Sequence, residues 1–343
     1  MYVKLFFGLL LAALFVIELA ALCSQQNNKD GVALERWVAP SGSDHANGSR
    51  QHPWSSLIRA AEMATPGTTV HVLPGIYSGP IVNKKSGTHE APIRFIAEVK
   101  WHARIIYSTA ADAVWQNDGD YVYISGFDIS GAPCVGLLNN GSHVEVASNH
   151  VHNLAGGDCG EQGGAGIDNG NSYSSDGRII GNVVDHVGDP GQPSSAIHGI
   201  YQSNLGGWIA GNVVVCNAGW GIHLWHAATE GKIDRNIVAR NGYGGIVVGA
   251  GDEPGGPEND NTLVSNNVVW QNQRGIMEFG QTGPHNRFVN NWIYGNKDDQ
   301  IHLLKGSAAG TINRDPQHAS DAPCHMPDWL SANCEAMVPQ PLN

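Results

Sequence analysis

Short apolar strands and polar turns alternate along this chain, and one pattern of the two recurs between residues 148 and 304. Each copy has an apolar strand, an Asn, two apolar residues, a polar turn and a Gly-Ile pair before a second strand. The copies include SNHVHNLAGG at 148–157, GNVVDHVG at 181–188, GNVVVCNAGWGIHLW at 211–225, RNIVARNGYGGIVVG at 235–249, NNVVWQNQRGIMEFG at 266–280 and NNWIYGNKDDQIHLL at 290–304. The Asn residues at 149, 182, 212, 236, 267 and 291 recur in steps of 24 to 33 residues. Such a period is typical of a solenoid, and its β-rich units predict a parallel β-helix.

Stacking the copies predicts which side chains face the core. Parallel strands of successive coils lie about 4.8 Å apart, so aligned positions become columns. The inward column is predicted to hold Ile167, Ile200, Ile222, Ile246, Ile276 and Ile301, and the Asn column to form a ladder at a turn. The residue after each Ile must point outward, and this outer column reads Asp168, Tyr201, His223, Val247, Met277 and His302.

The N-terminal part adds a strand and a helix before the coils begin. Apolar residues at 54, 57, 58, 61 and 64 have helical spacing, which ends at Pro66-Gly67. We expect this short helix to cover the first coil, because the open end of a solenoid needs a cap.

These segments carry a family resemblance. WVAPSGSD at 37–44, the helix, PGTTVHVLPGIYSG at 66–79 and APIRFIAE at 91–98 resemble the secreted right-handed parallel β-helix proteins of the pectate-lyase-like superfamily. The resemblance covers residues 36–310 and implies an all-β, right-handed solenoid. Because that superfamily includes lyases, hydrolases, epimerases and surface proteins, it implies carbohydrate-related function without fixing the reaction.

The domain organisation follows from the ends of the chain. Residues 1–23 are predicted to be a signal peptide, with an uncleaved anchor as the alternative, and 24–35 a linker. The β-helix domain is predicted over 36–310 and an irregular tail over 311–343. Export to the periplasm or outside permits disulfides, and we expect Cys134 to lie one coil from Cys159.

Charge narrows the choice of partner. The sequence has 19 Lys+Arg and 31 Asp+Glu, a net charge of −12, which argues against nucleic acid because phosphates need a basic face. A polysaccharide is the expected partner of a monomeric protein, with no membrane contact beyond the signal segment.

The outer column suggests the chemistry. Asp168, Tyr201 and His223 should be neighbours on three coils, and together they can transfer protons on a sugar. His198, two residues before a core Ile, is expected by parity to face inward or the corner, so a structural role competes with a catalytic one. Trp225 offers an aromatic surface for a sugar ring.

Further residues were assigned by position. His226, Arg178 and Lys232 are predicted to help bind the substrate. No cofactor is assigned with certainty. Calcium is an option, with Asp158, Glu161 and Asp189 as weakly indicated ligands because they are not at fixed ligand spacing.

These residues favour a lyase that cleaves a uronate-containing polysaccharide by β-elimination. His223 would be the base and Tyr201 the acid, with Asp168 orienting His223 or binding a cation. One alternative is a glycoside hydrolase using Asp168 with Glu278 or with a loop carboxylate such as Glu161 or Asp189, but Asp168 and Glu278 are four coils apart, about 19 Å by strand spacing. Such pairs need roughly 5–10 Å. The other alternative is a glycan-binding protein without catalysis.

Overall fold

The computed structural model describes residues 34–109, 111–154, 159, 163–189, 191–251 and 257–314. The chain divides into two units between Leu34 and Glu35. The predicted signal peptide, nearly all of the linker and the tail from 315 onward lie outside the described residues. Among the residues described, no helix is long and apolar enough to cross a bilayer.

The second unit is a right-handed parallel β-helix, as predicted. Each full coil runs through three strands, one in each of three sheets. Sheet 1 has eleven strands, and sheets 2 and 3 have nine each within the described part of the chain. The strands are β1 (Leu34–Val38), β2 (Thr68–Val72), β3 (Gly75–Ser78), β4 (Ile81–Asn83), β5 (Ile93–Ala97), β6 (Ala103–Tyr107), β7 (Ala113–Asn117), β8 (Val122–Ser125), β9 (Asp128–Gly131), β10 (Val135–Asn139), β11 (Glu145–Ala147), β12 (His150–Leu154), β13 (Gly164–Asn169), β14 (Arg178–Ile180), β15 (Val183–Val187), β16 (Ile197–Gln202), β17 (Trp208–Ala210), β18 (Val213–Val215), β19 (Trp220–Leu224), β20 (Lys232–Asp234), β21 (Ile237–Ala239), β22 (Gly244–Ala250), β23 (Leu263–Ser265), β24 (Val268–Trp270), β25 (Ile276–Gly280), β26 (Arg287–Val289), β27 (Trp292–Tyr294), β28 (Ile301–His302) and β29 (Ser307–Ala309).

The order of strands in each sheet follows the coil. Sheet 1 contains β1, β2 and then every third strand to β29; sheet 2 contains every third strand from β3 to β27, and sheet 3 every third strand from β4 to β28. Strands that are adjacent in a sheet are therefore one coil apart in the chain. As a result, side chains at matching positions of successive coils become neighbours on one face.

The predicted core column is confirmed in sheet 3. The register pairs Ile167 with Ile200, Ile200 with Ile222, and so on to Ile301. All members except the last, Ile301, are fully buried. An unbroken apolar column of this kind excludes water from the interior and holds the register of the outer face.

The asparagine ladder is also confirmed, at the turn between sheets 1 and 2. Its six members are fully buried. Each side-chain amide donates to the side-chain oxygen of the next, at 2.9–3.1 Å from Asn149 to Asn291. A second ladder runs from Asn217 to Asn296 between sheets 2 and 3. A third runs from Asn83 through Asn169 to Gln202 at the end of sheet 3. The buried turns are thus satisfied by side-chain amides.

The one helix among the described residues, α1 (Leu57–Met63), lies where the sequence predicts a cap. Ser56 begins it, because its hydroxyl accepts a hydrogen bond from the Arg59 N–H at 3.0 Å. Leu57, Ala60 and Ala61 are buried and pack on the first coil. Ile58 differs from the prediction, since 41% of its surface remains exposed.

The three cysteines among the described residues of the β-helix are all in disulfide bonds. Cys134 and Cys159 are bonded, with their Cα atoms 5.7 Å apart, as their expected one-coil separation allows. Cys216 is buried and is itself disulfide-bonded, so its sulfur is not available as a nucleophile.

Candidate functional site

The outer column is built as the alignment predicts. Asp168 on β13 pairs with Tyr201 on β16, and Tyr201 pairs with His223 on β19. All three residues are half-buried on the outer face of sheet 3. The repeat therefore brings together a carboxyl, a phenol and an imidazole that are more than 20 residues apart in the chain.

His198 joins this group at the corner, which was one of the two positions expected for it. Gly199 takes the inward position, because a Cβ there would lie 2.3 Å from Val214 Cγ1 in the core. Since the strand bends at this corner between residues 198 and 200, His198 turns to the outer face. It is buried there with 6% of its surface exposed, against the rings of Tyr201 and His223.

Three rings form the centre of the site, which we call the His–Tyr cluster: His198, Tyr201 and His223. His223 Nδ1 lies 3.1 Å from His198 Nε2, so one nitrogen donates its N–H and the other accepts. Tyr201 stacks on His198, with ring centroids 5.3 Å apart. It meets His223 edge-on at 5.2 Å. These contacts fix the orientation of the His223 ring.

Both imidazoles are neutral at ordinary pH. Burial lowers the pKa of His198 to about 3. Burial also holds the pKa of His223 well below its usual value, and repulsion from His198 and His226, where those rings are protonated, lowers it further. An imidazole that stays neutral keeps its basic form over a wide pH range, and its lone pair that is not used in the hydrogen bond between the rings can accept a proton.

The Asp168 carboxyl has the opposite character. Burial raises its pKa to about 7, and its Oδ1 has no hydrogen-bond partner among the described residues. Near neutral pH a large part of this carboxyl is therefore protonated and can donate a hydrogen bond. By register it lies beside Tyr201 and not beside His223, so His198 orients the imidazole in its place.

Trp225 extends the face beyond the cluster. Its ring lies over Gly249 and Gly280, where an added Cβ would come within 2.5 and 3.1 Å of the indole. Phe279 stacks beside it with centroids 6.1 Å apart and is 62% exposed. The glycines leave room for a flat aromatic platform, Trp225 with Phe279, next to His223 at 5.3 Å. His226 is exposed at the same edge, with its ring 6.2 Å from that of Tyr201.

The two predicted basic residues are not brought to this face. Arg178 is on β14 and Lys232 on β20, both in sheet 1. Arg178 is held there by Glu145 at 2.8 Å and by the ring of Trp208 at 4.6 Å. Because they belong to another sheet, neither is placed to neutralise a group bound at the His–Tyr cluster.

The calcium candidates receive no support from the described residues. Asp158 and Glu161 lie outside them. Asp189 is exposed and uses its carboxylate on its own turn, accepting from the Gly191 N–H at 2.8 Å and from Gln192 at 3.1 Å. Of the residues described, none around the His–Tyr cluster form a group of three metal ligands.

The Asp168–Glu278 pair of the hydrolase hypothesis is wrong. Glu278 is fully buried. Its Oε1 accepts from Asn286, and its Oε2 accepts from the backbone N–H groups of Leu304, Lys305 and Gly306, all at 2.7–3.0 Å. A carboxylate bound in this way closes a turn and does not reach a substrate.

Sequence reasoning missed Trp220. It is 7% exposed, lies 6.3 Å from His223 between ring centroids and packs against Tyr243 at 5.5 Å. The signal was available in the column two residues before the core Ile, where His198 and Trp220 take equivalent positions. Strict strand alternation, counted back from Ile222, points position 220 inward, so Trp220 was not considered as a site residue.

Comparisons with known proteins agree with this architecture. No family model matches the chain. It is 29% identical over 265 residues to YwoF of Bacillus subtilis (strain 168), covering 70% of this chain and 53% of that protein. It is 26% identical over 265 residues to pectate lyase L of Dickeya chrysanthemi, covering 70% and 60%. The chain thus spans somewhat over half the length of these relatives. The crystal structure of pectate lyase Pel9A superposes with a TM-score of 0.63 at 20% identity, over 85% of this chain and 83% of that one.

Proposed function

We propose that the protein is a polysaccharide lyase that cleaves a uronate-containing polymer by β-elimination on the outer face of sheet 3. The observation that carries the proposal is the His–Tyr cluster, in which a neutral imidazole is held 3.1 Å from a second one and beside a phenol. The reaction needs a base for the C5 proton, an acid for the leaving oxygen and a group that stabilises the charge developing on the carboxylate.

His223 is the base in this scheme. Its lone pair takes the C5 proton, the C4–O4 bond breaks as the C4–C5 double bond forms, and Tyr201 gives its proton to O4. The proton on His223 then returns to Tyr201, whose ring it meets edge-on. His198 is a positioning residue, because it holds His223 through the hydrogen bond between their rings.

Protonated Asp168 stabilises the substrate carboxylate. With its pKa raised to about 7 by burial, it donates a hydrogen bond to the uronate oxygen on which negative charge builds up. A neutral carboxylic acid held in an apolar site can serve in this way. This role suits a face to which Arg178 and Lys232 are not brought.

The Trp225–Phe279 platform binds a neighbouring sugar ring. Solvent-facing aromatic surfaces are costly unless covered, and the faces of sugar rings are apolar enough to stack on them. The platform is next to His223 along the same sheet, so a chain bound on it would run across the coils past the base.

The similarity to pectate lyase L and the fold shared with pectate lyase Pel9A support a lyase. They also support a site of action outside the cytoplasm. The Cys134–Cys159 disulfide is consistent with that location, because disulfides persist in oxidising compartments.

The experiment follows the absorbance of unsaturated products from pectate, alginate and other uronate polymers, with and without chelator. We expect activity in the wild type and a loss of at least about 100-fold in kcat for His223→Ala and Tyr201→Phe. The controls Arg178→Ala and Lys232→Ala on sheet 1 should keep the wild-type kcat. Asp168→Asn should retain activity above pH 7, where the wild type declines, since the amide remains a donor.

Other results would overturn the proposal. A wild type that is inert on every uronate polymer but releases reducing sugars from a neutral glycan would be a hydrolase. Affinity for a glycan without turnover, lost in Trp225→Ala and kept in His223→Ala, would indicate a binding protein. Abolition of activity by chelator would assign the carboxylate-binding role to a cation.

A further inference from the structure

A second group of ionisable side chains lies on the outer face of sheet 2, away from the His–Tyr cluster on sheet 3. Asp128 on β9 pairs in register with His150 on β12, and His152 pairs with Asp185 on β15. The strand β12 has a register irregularity between Val151 and Leu154, and His152 reaches back to Asp128 of the preceding coil.

The distances between the potential ligand atoms of this group match the ligand–ligand distances of a metal site. His152 Nε2 lies 3.1 Å and His150 Nδ1 3.5 Å from Asp128 Oδ2, and the three potential ligand atoms all lie within 4.8 Å of one another. Ligands at 2.0–2.1 Å around a tetrahedral ion are about 3.3 Å apart. The two imidazoles stack with centroids 4.0 Å apart, so ion binding requires ring rotation about χ2, which is a broad torsion.

Outer partners already orient each imidazole. His150 presents Nδ1 to Asp128 while its Nε2 lies 3.3 Å from Asp185 Oδ2. His152 presents Nε2 to Asp128 while its Nδ1 is 2.8 Å from the Asn153 amide. A histidine that binds a metal through one nitrogen and a carboxylate or amide through the other is the usual arrangement in metal sites.

Asp128 provides an independent observation. It is 91% buried, since only 9% of the residue is exposed, yet its Oδ1 has no hydrogen-bond partner among the described residues. Arg104 Nε lies 3.6 Å from Oδ1, beyond hydrogen-bond distance. A buried carboxylate oxygen without a donor is costly, and a cation bound by both carboxylate oxygens, Oδ1 as well as Oδ2, would satisfy it.

We propose that Asp128, His150 and His152 form a binding site for a divalent transition ion of the Zn²⁺ type. Two imidazoles and one carboxylate favour such an ion over Ca²⁺, which prefers six to eight oxygens. The ion joins β9 to β12, and Asp185 on β15 supports it from outside. Its role is to clamp three successive coils, and its remaining coordination positions face solvent.

The test uses tag-free, chelator-treated protein and measures Zn²⁺ binding by calorimetry and Co²⁺ binding by visible absorption. We expect one ion per chain, a Tm that rises with Zn²⁺ and returns to its starting value with chelator, and a Co²⁺ spectrum of low coordination number. Asp128→Asn and His152→Gln should abolish binding. Asp185→Asn should weaken it about 10- to 100-fold, as the loss of an outer partner does.

The matched control is His143→Gln, which removes an exposed histidine that pairs with Asp176 at 3.4 Å but lacks a third ligand. It should bind Zn²⁺ like the wild type. Circular dichroism checks that each variant folds. If Asp128→Asn does not fold, zinc binding by His152→Gln provides the test of the site. A wild type that binds no Zn²⁺, or ligand variants that bind as the wild type does, would overturn the proposal.

Discussion

At the scale of single residues, exclusion of water sets the chemistry of the site. Burial shifts the pKa of His198 to about 3 and that of Asp168 to about 7, so that the imidazole that positions His223 is kept neutral and much of the carboxyl is kept protonated near neutral pH. Both shifts arise because the low-dielectric face of the sheet disfavours charge. The two groups therefore acquire opposite roles without a charged partner.

Asp168→Asn should change how stability depends on pH. In the wild type the stabilising contribution of the protonated carboxyl is complete below pH 3.8, the unfolded value. It is lost as the pH rises toward about 7, the folded value, at about 1.4 kcal/mol per pH unit. The amide does not titrate, so the Tm of the variant minus that of the wild type should grow from pH 4 to 7 and then level off.

Urea unfolding at several pH values measures the same difference. His143→Gln, exposed in the turn between β10 and β11, is the control and should follow the wild type. A constant gap between Asp168→Asn and the wild type across this range would contradict a buried, protonated carboxyl.

At the scale of elements, the corner at Gly199 places His198. Gly199→Ala should destabilise the protein by about 1–3 kcal/mol, because the new methyl would lie 2.3 Å from Val214 Cγ1 in a packed core. The bend should also shift His198, so kcat should fall while binding of the polymer is retained. The control Gly231→Ala meets Leu224 Cδ2 only at 3.3 Å and should cost less. Equal unfolding free energies for the two variants would contradict this account of the corner.

The bend at this corner could not be predicted from the sequence. The repeat predicted the core column from Ile167 and the outer column through Asp168 and His223, since strand alternation fixes both once the copies are aligned. It could not predict a bend that interrupts the alternation, so it left the position of His198 open between the core and the corner. Arg178 and Lys232 were misjudged for a related reason, because the repeat does not reveal how strongly the chain turns between sheets.

The ladder at the turn between sheets 1 and 2 makes a stability prediction. Asn212 Oδ1 accepts from the backbone and side chain of Asn182, and its amide donates to Asn236 and to the Ile179 carbonyl. Asn212→Ala leaves several buried groups unpaired, each costing about 1–3 kcal/mol, so we expect a loss of at least about 3 kcal/mol in urea unfolding. The exposed Asn47, changed to Ala, should cost less than about 1 kcal/mol. If both variants lost a similar free energy of unfolding, the ladder would not be a main source of stability.

At the scale of the whole molecule, the charge opposes the proposed substrate. The sequence has a net charge of −12, and a uronate polymer is also anionic, so long-range repulsion should slow their association. Arg274 lies over Tyr243 at 4.7 Å, and Tyr243 packs on Trp220, which connects it to the neighbourhood of His223.

Salt should therefore improve binding without changing the chemical step. The range over which charges act falls from about 30 Å at 0.01 M salt to about 8 Å at 0.15 M. Over this range we expect KM for pectate to fall several-fold while kcat stays constant, because the reacting groups are shielded inside the cluster. A methyl-esterified pectin, with most of its carboxylates neutral, is the matched control, and its KM should change little.

A KM for pectate that instead rises with salt would mean that a local attraction, of the kind Arg274 could supply, outweighs the charge of the whole chain. Arg274→Gln would then be expected to abolish that rise.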